Sequence, residues 1–266
     1  MSLRPSSSAA LRLLALIGLA ALTACTRPGP GEVTRADQPF DPYEAQNRQM
    51  HEVNLALDRA VLRPAGTVYA TVVPQPVNQL VGNFSANLGT PSDVVNNLLQ
   101  GRLKDAGINT VRFVMNSTIG VGGLIDAAGA FGIPARDTDF GETLAIWGVP
   151  EGAYQELPVL GPSTERATAG RIVDLFTNPL DPLMDRSERQ LKYGSAAAHG
   201  VGQRGYNRET VDSVLYESAD SYAQLRLIYL QSRRHALGAA QTDAYLDPYG
   251  DTGEEANDPY IDPYAE

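Results

Sequence analysis

The 266-residue sequence predicts a mainly α-helical fold. Three observations point there. From Tyr43 onward apolar residues recur mostly at helical spacing; clear strand alternation is scarce; and Tyr206 to Leu237 carries an apolar band that no proline or glycine interrupts.

The chain opens MSLRPSSSAALRLLALIGLAALTAC, with Arg4 and Arg12 before and within a short apolar stretch. The run from Leu13 to Leu22 is about half the roughly 20 residues that a membrane-spanning helix needs. A basic start, a short apolar run and small residues read as an export signal over residues 1–24. Its end, Leu22-Thr23-Ala24-Cys25, looks like a bacterial lipobox, in which the cysteine becomes the lipid-bearing first residue. Cys25 is the only cysteine, so the fold has no internal disulfide framework. Acyl chains worth about 0.8 kcal/mol per buried methylene would hold such a protein on a membrane. Thr26 follows the cysteine instead of an inner-membrane retention aspartate, which favours the outer membrane. Residues 25–40, rich in Pro, Gly and polar side chains, read as a flexible tether.

The body is expected over residues 41–237. Thr90-Pro91-Ser92-Asp93 reads as a helix start, with Thr90 capping and Pro91 in the first position. Val94, Val95, Leu98 and Leu99 form one face, which Gly101 weakens; Ile108, Val111, Val114, Met115 and Ile119 continue a stripe. A second start is read at Gly161-Pro162-Ser163, leading to Ile172, Val173, Leu175 and Phe176 and closed by Asn178-Pro179. In the long stretch Asn207 is the expected cap, and Ala219-Asp220-Ser221 the place for a kink. Most of these stripes read as core. Residues 238–266 carry eight acidic groups, no base and three Asp-Pro-Tyr repeats, and read as a disordered tail.

Composition excludes several functions. The formal charge is −10, and −12 once the leader with Arg4 and Arg12 is removed, which argues against nucleic acid as a partner. His51, His199 and His235 do not stand at metal-ligand spacing, and no Gly-x-Ser-x-Gly elbow occurs. No metal, cofactor or catalytic set is expected: nothing in the sequence favours a triad assembled across the fold, and an enzyme has no positive support. Ser117 to Pro134, STIGVGGLIDAAGAFGIP, holds Gly120, Gly122 and Gly123 close together. These lack the third glycine of a dinucleotide loop and the Gly-Lys-Ser/Thr ending of a phosphate loop. The segment therefore reads as a tight Gly-rich turn between helices, a short hairpin, or a mobile lip beside a hydrophobic path.

Four blocks resemble the MlaA (VacJ) lipoprotein family. They are Asp41-Pro42-Tyr43-Glu44 with Asn47-Arg48-x-Met50 and Asn54; Val73-Pro74-Gln75-Pro76 with Asn83-Phe84, Asn87 and Asn96-Asn97; Arg112-Phe113 and Asn116-Ser117-Thr118-Ile119-Gly120-x-Gly122-Gly123 with Asp126; and Asp139-Phe140-Gly141, Trp147-Gly148 and Leu160-Gly161-Pro162-Ser163. Asp220-x-Tyr222, Arg226 and Tyr229 echo it later. His51-Glu52-Val53 departs from the family's aromatic cluster. The resemblance implies a ring of helices in the inner leaflet of the outer membrane, around an amphipathic channel. It also implies removal of misplaced phospholipid from the outer leaflet, which maintains lipid asymmetry. The lipid would pass to a periplasmic lipid carrier bound for an inner-membrane ABC transporter, and a trimeric porin would be a partner. On this reading Gly120, Gly122, Gly123 and Asp126 form a lip or gate of the lipid path, and Asn47 and Arg48 close the ring near its entrance. Rival readings are a structural lipoprotein that scaffolds porins without moving lipid, and an envelope hydrolase.

Overall fold

The structure, a computed structural model, describes residues 39–238. The lipobox, the tether up to residue 38 and the acidic tail from residue 239 lie outside the described residues. Helix α1 (Glu44–Leu57) runs through a π-helical turn, Asp58–Leu62, into α2 (Arg63–Val72). Pro74 then starts α3 (Gln75–Leu99), and α4 (Leu103–Thr118) folds back along it. A Gly-rich turn leads to the single helical turn α5 (Ala127–Ala130), and then α6 (Phe140–Ile146). An antiparallel hairpin follows, β1 (Tyr154–Leu157) and β2 (Gly161–Thr164), with Tyr154 opposite Thr164 and Leu157 opposite Gly161. Helix α7 (Glu165–Thr177) packs on α6. Helix α8 (Arg186–Tyr206) crosses α2 and α3, α9 (Arg208–Asp212) continues into the π-helical turn Ser213–Glu217, and α10 (Ser221–Ala236) ends the described chain.

Several local expectations change. Thr90-Pro91 does not start a helix: Pro91 lies inside α3, where the Thr90 hydroxyl donates to the Ala86 carbonyl at 3.0 Å. Gly101, at φ +73°, lies beyond the end of the helix instead of weakening it, because only glycine enters the left-handed region freely. Gly161-Pro162-Ser163 is strand, and the cap falls on Thr164, whose side chain accepts from the Ala167 N–H. The hairpin is not at residues 120–134 but at 154–164. The long C-terminal stretch breaks at residues 218–220, where a kink was expected, and Asp220 caps the new helix. Asn207 makes no capping bond; its amide donates back to the Gln203 carbonyl at 3.0 Å.

The larger correction concerns the core. The stripes read as core mostly face outward: Leu98, Leu99, Val111, Val114, Ile119, Ile172 and Leu175 are exposed, and Phe176 is 84% exposed. Beside apolar residues such as Leu55, Leu144 and Val149, the interior holds asparagines, with Asn78, Asn87, Asn96, Asn97, Asn109 and Asn116 all buried. Buried amides generally need partners, and most of these have them, although neither side-chain polar atom of Asn78 does. Asn96 donates to Asp174 Oδ1 at 3.0 Å and accepts from the Thr143 hydroxyl at 3.0 Å. Asn109 donates to the Arg136 carbonyl at 2.8 Å and accepts from the Arg136 N–H at 3.2 Å. Asn178 reaches the Leu88 carbonyl at 2.8 Å. An amide fixes direction as well as distance, so these bonds set how neighbouring helices face each other. Only the α10 region meets the expectation: Tyr222 and Leu230 are buried with Tyr154, and Tyr229 packs against them.

One interior acid carries a pH signature. Half-buried Asp93 sits beside Asp137, Asp174 and Asp139, and burial together with these like charges pushes its carboxyl up to about 7. Between its unfolded value of about 3.9 and 7, the unfolded chain releases a proton that the folded chain keeps, so stability falls as pH rises. Asp93→Asn is therefore expected to melt higher than wild type at pH 8, by about 2–4 °C for each kcal/mol recovered, and to match it near pH 4. A thermal melt at both values checks this; equal gains at both would mean that the effect is not electrostatic.

Candidate functional site

Two regions gather the residues singled out by sequence. The first is the turn after α4. Gly123, at φ +93°, lies so close to α3 that an added Cβ would stand 2.6 Å from the Asn87 side chain. At Gly120 the same atom would stand 2.2 Å from the Ile125 carbonyl oxygen. Val121 adopts φ +54°, a strained region for a β-branched residue. Backbone bonds from Gly123 to the Asn116 carbonyl (2.7 Å) and from Ile125 to the Gly120 carbonyl (2.9 Å) tie the turn down. Asp126 caps α5 through the Gly129 N–H at 3.0 Å, and accepts from Arg112 at 2.9 Å and Asn116 at 3.0 Å. Burial pushes its carboxyl up, but these three donors outweigh it and hold the group below the usual carboxylate range. The turn is thus closely hydrogen bonded. Around it Ile119, Val121, Ile125 and Phe131 are exposed.

The second region is where α1 meets β1 and α10. Asn47 is buried, donates to Asp41 Oδ1 at 2.8 Å and to the Tyr154 carbonyl at 3.0 Å, and accepts from the Glu156 N–H at 2.9 Å. It thus replaces a strand neighbour for β1. Arg48 forks onto Asp220 at 3.1 and 2.9 Å, takes Glu44 at 2.8 Å and lies 4.5 Å over the Tyr222 ring. Arg48 and the Ala223 N–H lower the Asp220 carboxyl to about 2. Asp41 also accepts from Arg226 at 2.6 Å and from the Tyr222 hydroxyl. The start of the described chain is therefore joined to its last helix by Arg48–Asp220 and Arg226–Asp41, 172 and 185 residues apart in sequence. Farther along α10, Arg233 forks onto Asp139, and Arg234 reaches Glu151 at 3.0 Å.

Asn47 and Arg48 thus share one cluster, and Gly120, Gly122, Gly123 and Asp126 share another. Cys25 lies outside the described residues. Sequence reasoning quoted Asp41, Tyr222, Arg226 and several of the asparagines in its motif blocks but gave them no role, and it did not single out Glu156. For the asparagines a signal existed, in amides recurring inside otherwise apolar helices. For Asp41 the motif block that places it beside Asn47 was a signal, but its arginine partner, Arg226, is 185 residues away. Among the described residues no cluster of His, Cys, Asp or Glu could hold a metal ion. Among the same residues, no helix is long and apolar enough to cross a membrane.

Fold and sites together define a mainly helical protein with buried amides, many exposed apolar side chains and a salt-bridged junction between the two ends of the described residues. A family model described as MlaA lipoprotein matches residues 39–236, and the chain belongs to that family. The intermembrane phospholipid transport system lipoprotein MlaA of Escherichia coli is 33% identical over 226 residues, covering 83% of this chain and 86% of that one. Its Haemophilus influenzae counterpart is 31% identical, covering 83% of this chain and 87% of its own. A solved structure bearing on the structural basis for maintenance of bacterial outer membrane lipid asymmetry matches with a TM-score of 0.62 at 30% identity. It covers 74% of this chain and 98% of its own.

Proposed function

We propose that this protein is an outer-membrane lipoprotein, anchored through Cys25, that removes misplaced phospholipid from the outer leaflet and hands it to a periplasmic carrier. The observation that carries this reading is the inverted burial. Val68, Val72, Leu103, Phe131, Phe176 and Leu183 are each more than 60% exposed, while asparagine amides are buried, most of them hydrogen bonded. An apolar exterior suits an acyl-chain environment. A polar interior offers the headgroup partners that hydrocarbon cannot. The relatives' part in phospholipid transport agrees with both. The reading needs no cofactor and no nucleic acid. A trimeric porin would hold the protein at the depth where it can reach the outer leaflet.

Within this reading Gly120, Gly122, Gly123 and Asp126 form a lip of the lipid path, its exposed apolar side chains touching acyl chains. Asn47 and Arg48 hold the ring closed near its entrance. The first test uses a strain lacking the gene. Outer-leaflet phospholipid amines are labelled with a reagent that does not cross the outer membrane, and labelling is expected to rise and to fall again on complementation. Unchanged labelling would favour a porin scaffold that moves no lipid. Gly123→Val is expected to leave the protein folded and to restore less than half of the complementation, since its Cβ must displace Asn87 at a strained φ. Asn47→Ala and Arg48→Ala should each raise labelling; wild-type labelling in both would remove the clasp from the mechanism.

A further inference from the structure

We propose that a Ser–His–Glu constellation beside the clasp, Ser221–His51–Glu156, is a second site that hydrolyses carboxylic esters by acyl transfer. The Ser221 hydroxyl lies 2.9 Å from His51 Nε2. The opposite ring nitrogen, Nδ1, lies 3.6 Å from Glu156 Oε1. This is the order that nucleophilic catalysis needs: hydroxyl on one ring nitrogen, carboxylate on the other. The 3.6 Å separation is longer than a hydrogen bond, as such contacts often are before substrate binds.

The supports are built around it. The Tyr154 hydroxyl donates to Glu156 Oε2 at 2.6 Å and Asn54 donates to Oε1 at 3.1 Å, so the carboxylate is aimed. The Tyr222 ring meets the His51 ring edge-on at 5.7 Å. His51 and Glu156 are buried, whereas Ser221 is half-buried and reachable. Ser221 is also the first residue of α10, so the N–H groups of Ser221 and Tyr222 have no intrahelical acceptor and can meet an oxyanion.

The surroundings define the substrate. Ser221, His51 and Arg48 line an open pocket of about 450 Å³. His51 and Glu156 also line a second, mainly apolar pocket of about 140 Å³, with Leu55, Leu62, Leu215 and Leu225. An ester carbonyl at Ser221 can place its alcohol side beneath the Arg48 guanidinium, in the pocket that both residues line. In the reaction Ser221 Oγ bonds to the acyl carbon as its proton passes to His51 Nε2. The ester C–O bond breaks, and the departing alkoxide takes that proton. Water then attacks the acyl carbon, gives a proton to His51, and Oγ leaves reprotonated. The products are a carboxylic acid and an alcohol. Glu156 positions the imidazole and touches no substrate.

The test uses the full lipidated chain in detergent, with a fluorophosphonate probe and two esters. One is a soluble short-chain nitrophenyl ester; the other is a phosphatidylethanolamine in mixed micelles. Labelling at Ser221 and turnover of one ester are expected. Whichever ester is turned over identifies the source as a small soluble ester or a lipid. Ser221→Ala and His51→Gln should each lower turnover by about 10³-fold or more. Glu156→Gln should lower kcat with KM little changed and alter the pH profile. Circular dichroism separates these effects from unfolding. Absent labelling, absent turnover of both esters, or turnover that survives in folded Ser221→Ala overturns the proposal.

Discussion

Asp58→Ala is expected to destabilise the protein by about 3 kcal/mol, the lower end of the cost of breaking a buried ion pair, because Arg204 keeps Asp212. Asp58 is buried in the π-helical turn between α1 and α2. It receives Arg204 twice, at 2.8 and 2.7 Å, and the Tyr216 hydroxyl at 2.5 Å. Arg204 also holds Asp212 at 2.6 Å, and Asp212 in turn holds Arg63 at 2.7 Å. One carboxylate thus joins the α1–α2 helix, α8 and the segment after α9. Without Asp58, buried Arg204 keeps Asp212 as its remaining anion, while its Nε joins Nη1 in having no partner. Burial pushes the Asp58 carboxyl up, but Arg204 and Tyr216 outweigh it and hold it below its ordinary value. The sign follows. The stabilisation is complete above the unfolded pKa of about 3.9 and is lost as pH falls through the lower folded value. Urea unfolding at pH 7 should show the whole deficit, and the difference should shrink as pH falls below about 3.9 toward the lower folded value. An unchanged midpoint at pH 7 would mean that the network contributes nothing net.

Gly205→Val is expected to be comparably severe, about 3 kcal/mol, at the upper end of overpacking costs. Helices α2 and α8 touch backbone to backbone at Gly66 and Gly205. A Cβ built on Gly205 lies 2.0 Å from the Gly66 carbonyl oxygen, and one on Gly66 lies 2.9 Å from the Gly205 N. Backbone atoms cannot rotate out of the way, so the helices must separate. Separation also pulls Arg204, the neighbour of Gly205, from Asp58, so the two substitutions should be less than additive when combined. The control is Gly194→Ala in the same helix, where an added Cβ meets nothing within 4 Å. It should stabilise by about 0.5–1 kcal/mol through helix propensity alone. Thermal melts of the three variants decide between crowding and a general intolerance of α8.

Both predictions rest on contacts that sequence inspection passes over, for physical reasons. Asp58 and Arg204 are 146 positions apart, and either alone reads as a solvated charge. Gly66 and Gly205 stand in helices where glycine merely lowers propensity. Their use appears only when two helices cross. The Gly-rich turn was different. Gly120, Gly122 and Gly123 are consecutive enough for their backbone demand to be visible, although the partner that makes Gly123 necessary, Asn87 on α3, was not.

The sequence by itself determined the mainly helical class, the break before Ser221, the stop at Asn178-Pro179 and, through its motif blocks, the family. These are local or ordered signals: caps, prolines and spacings that act within a few residues. It did not determine which helix faces turn inward. Periodicity shows that a stripe exists but not what solvent it meets, and the assumption that apolar means interior placed Val111, Val114, Leu175 and Phe176 on the wrong side. Tertiary structure decided that question by pairing amides across helices, because a buried amide needs a directed partner whereas an exposed valine needs only an apolar neighbour. It also brought Asn47, Arg48, Asp41, Asp220 and Arg226 into one junction, and Ser221, His51 and Glu156 into another. Contacts between residues more than a hundred positions apart come from the path of the whole chain.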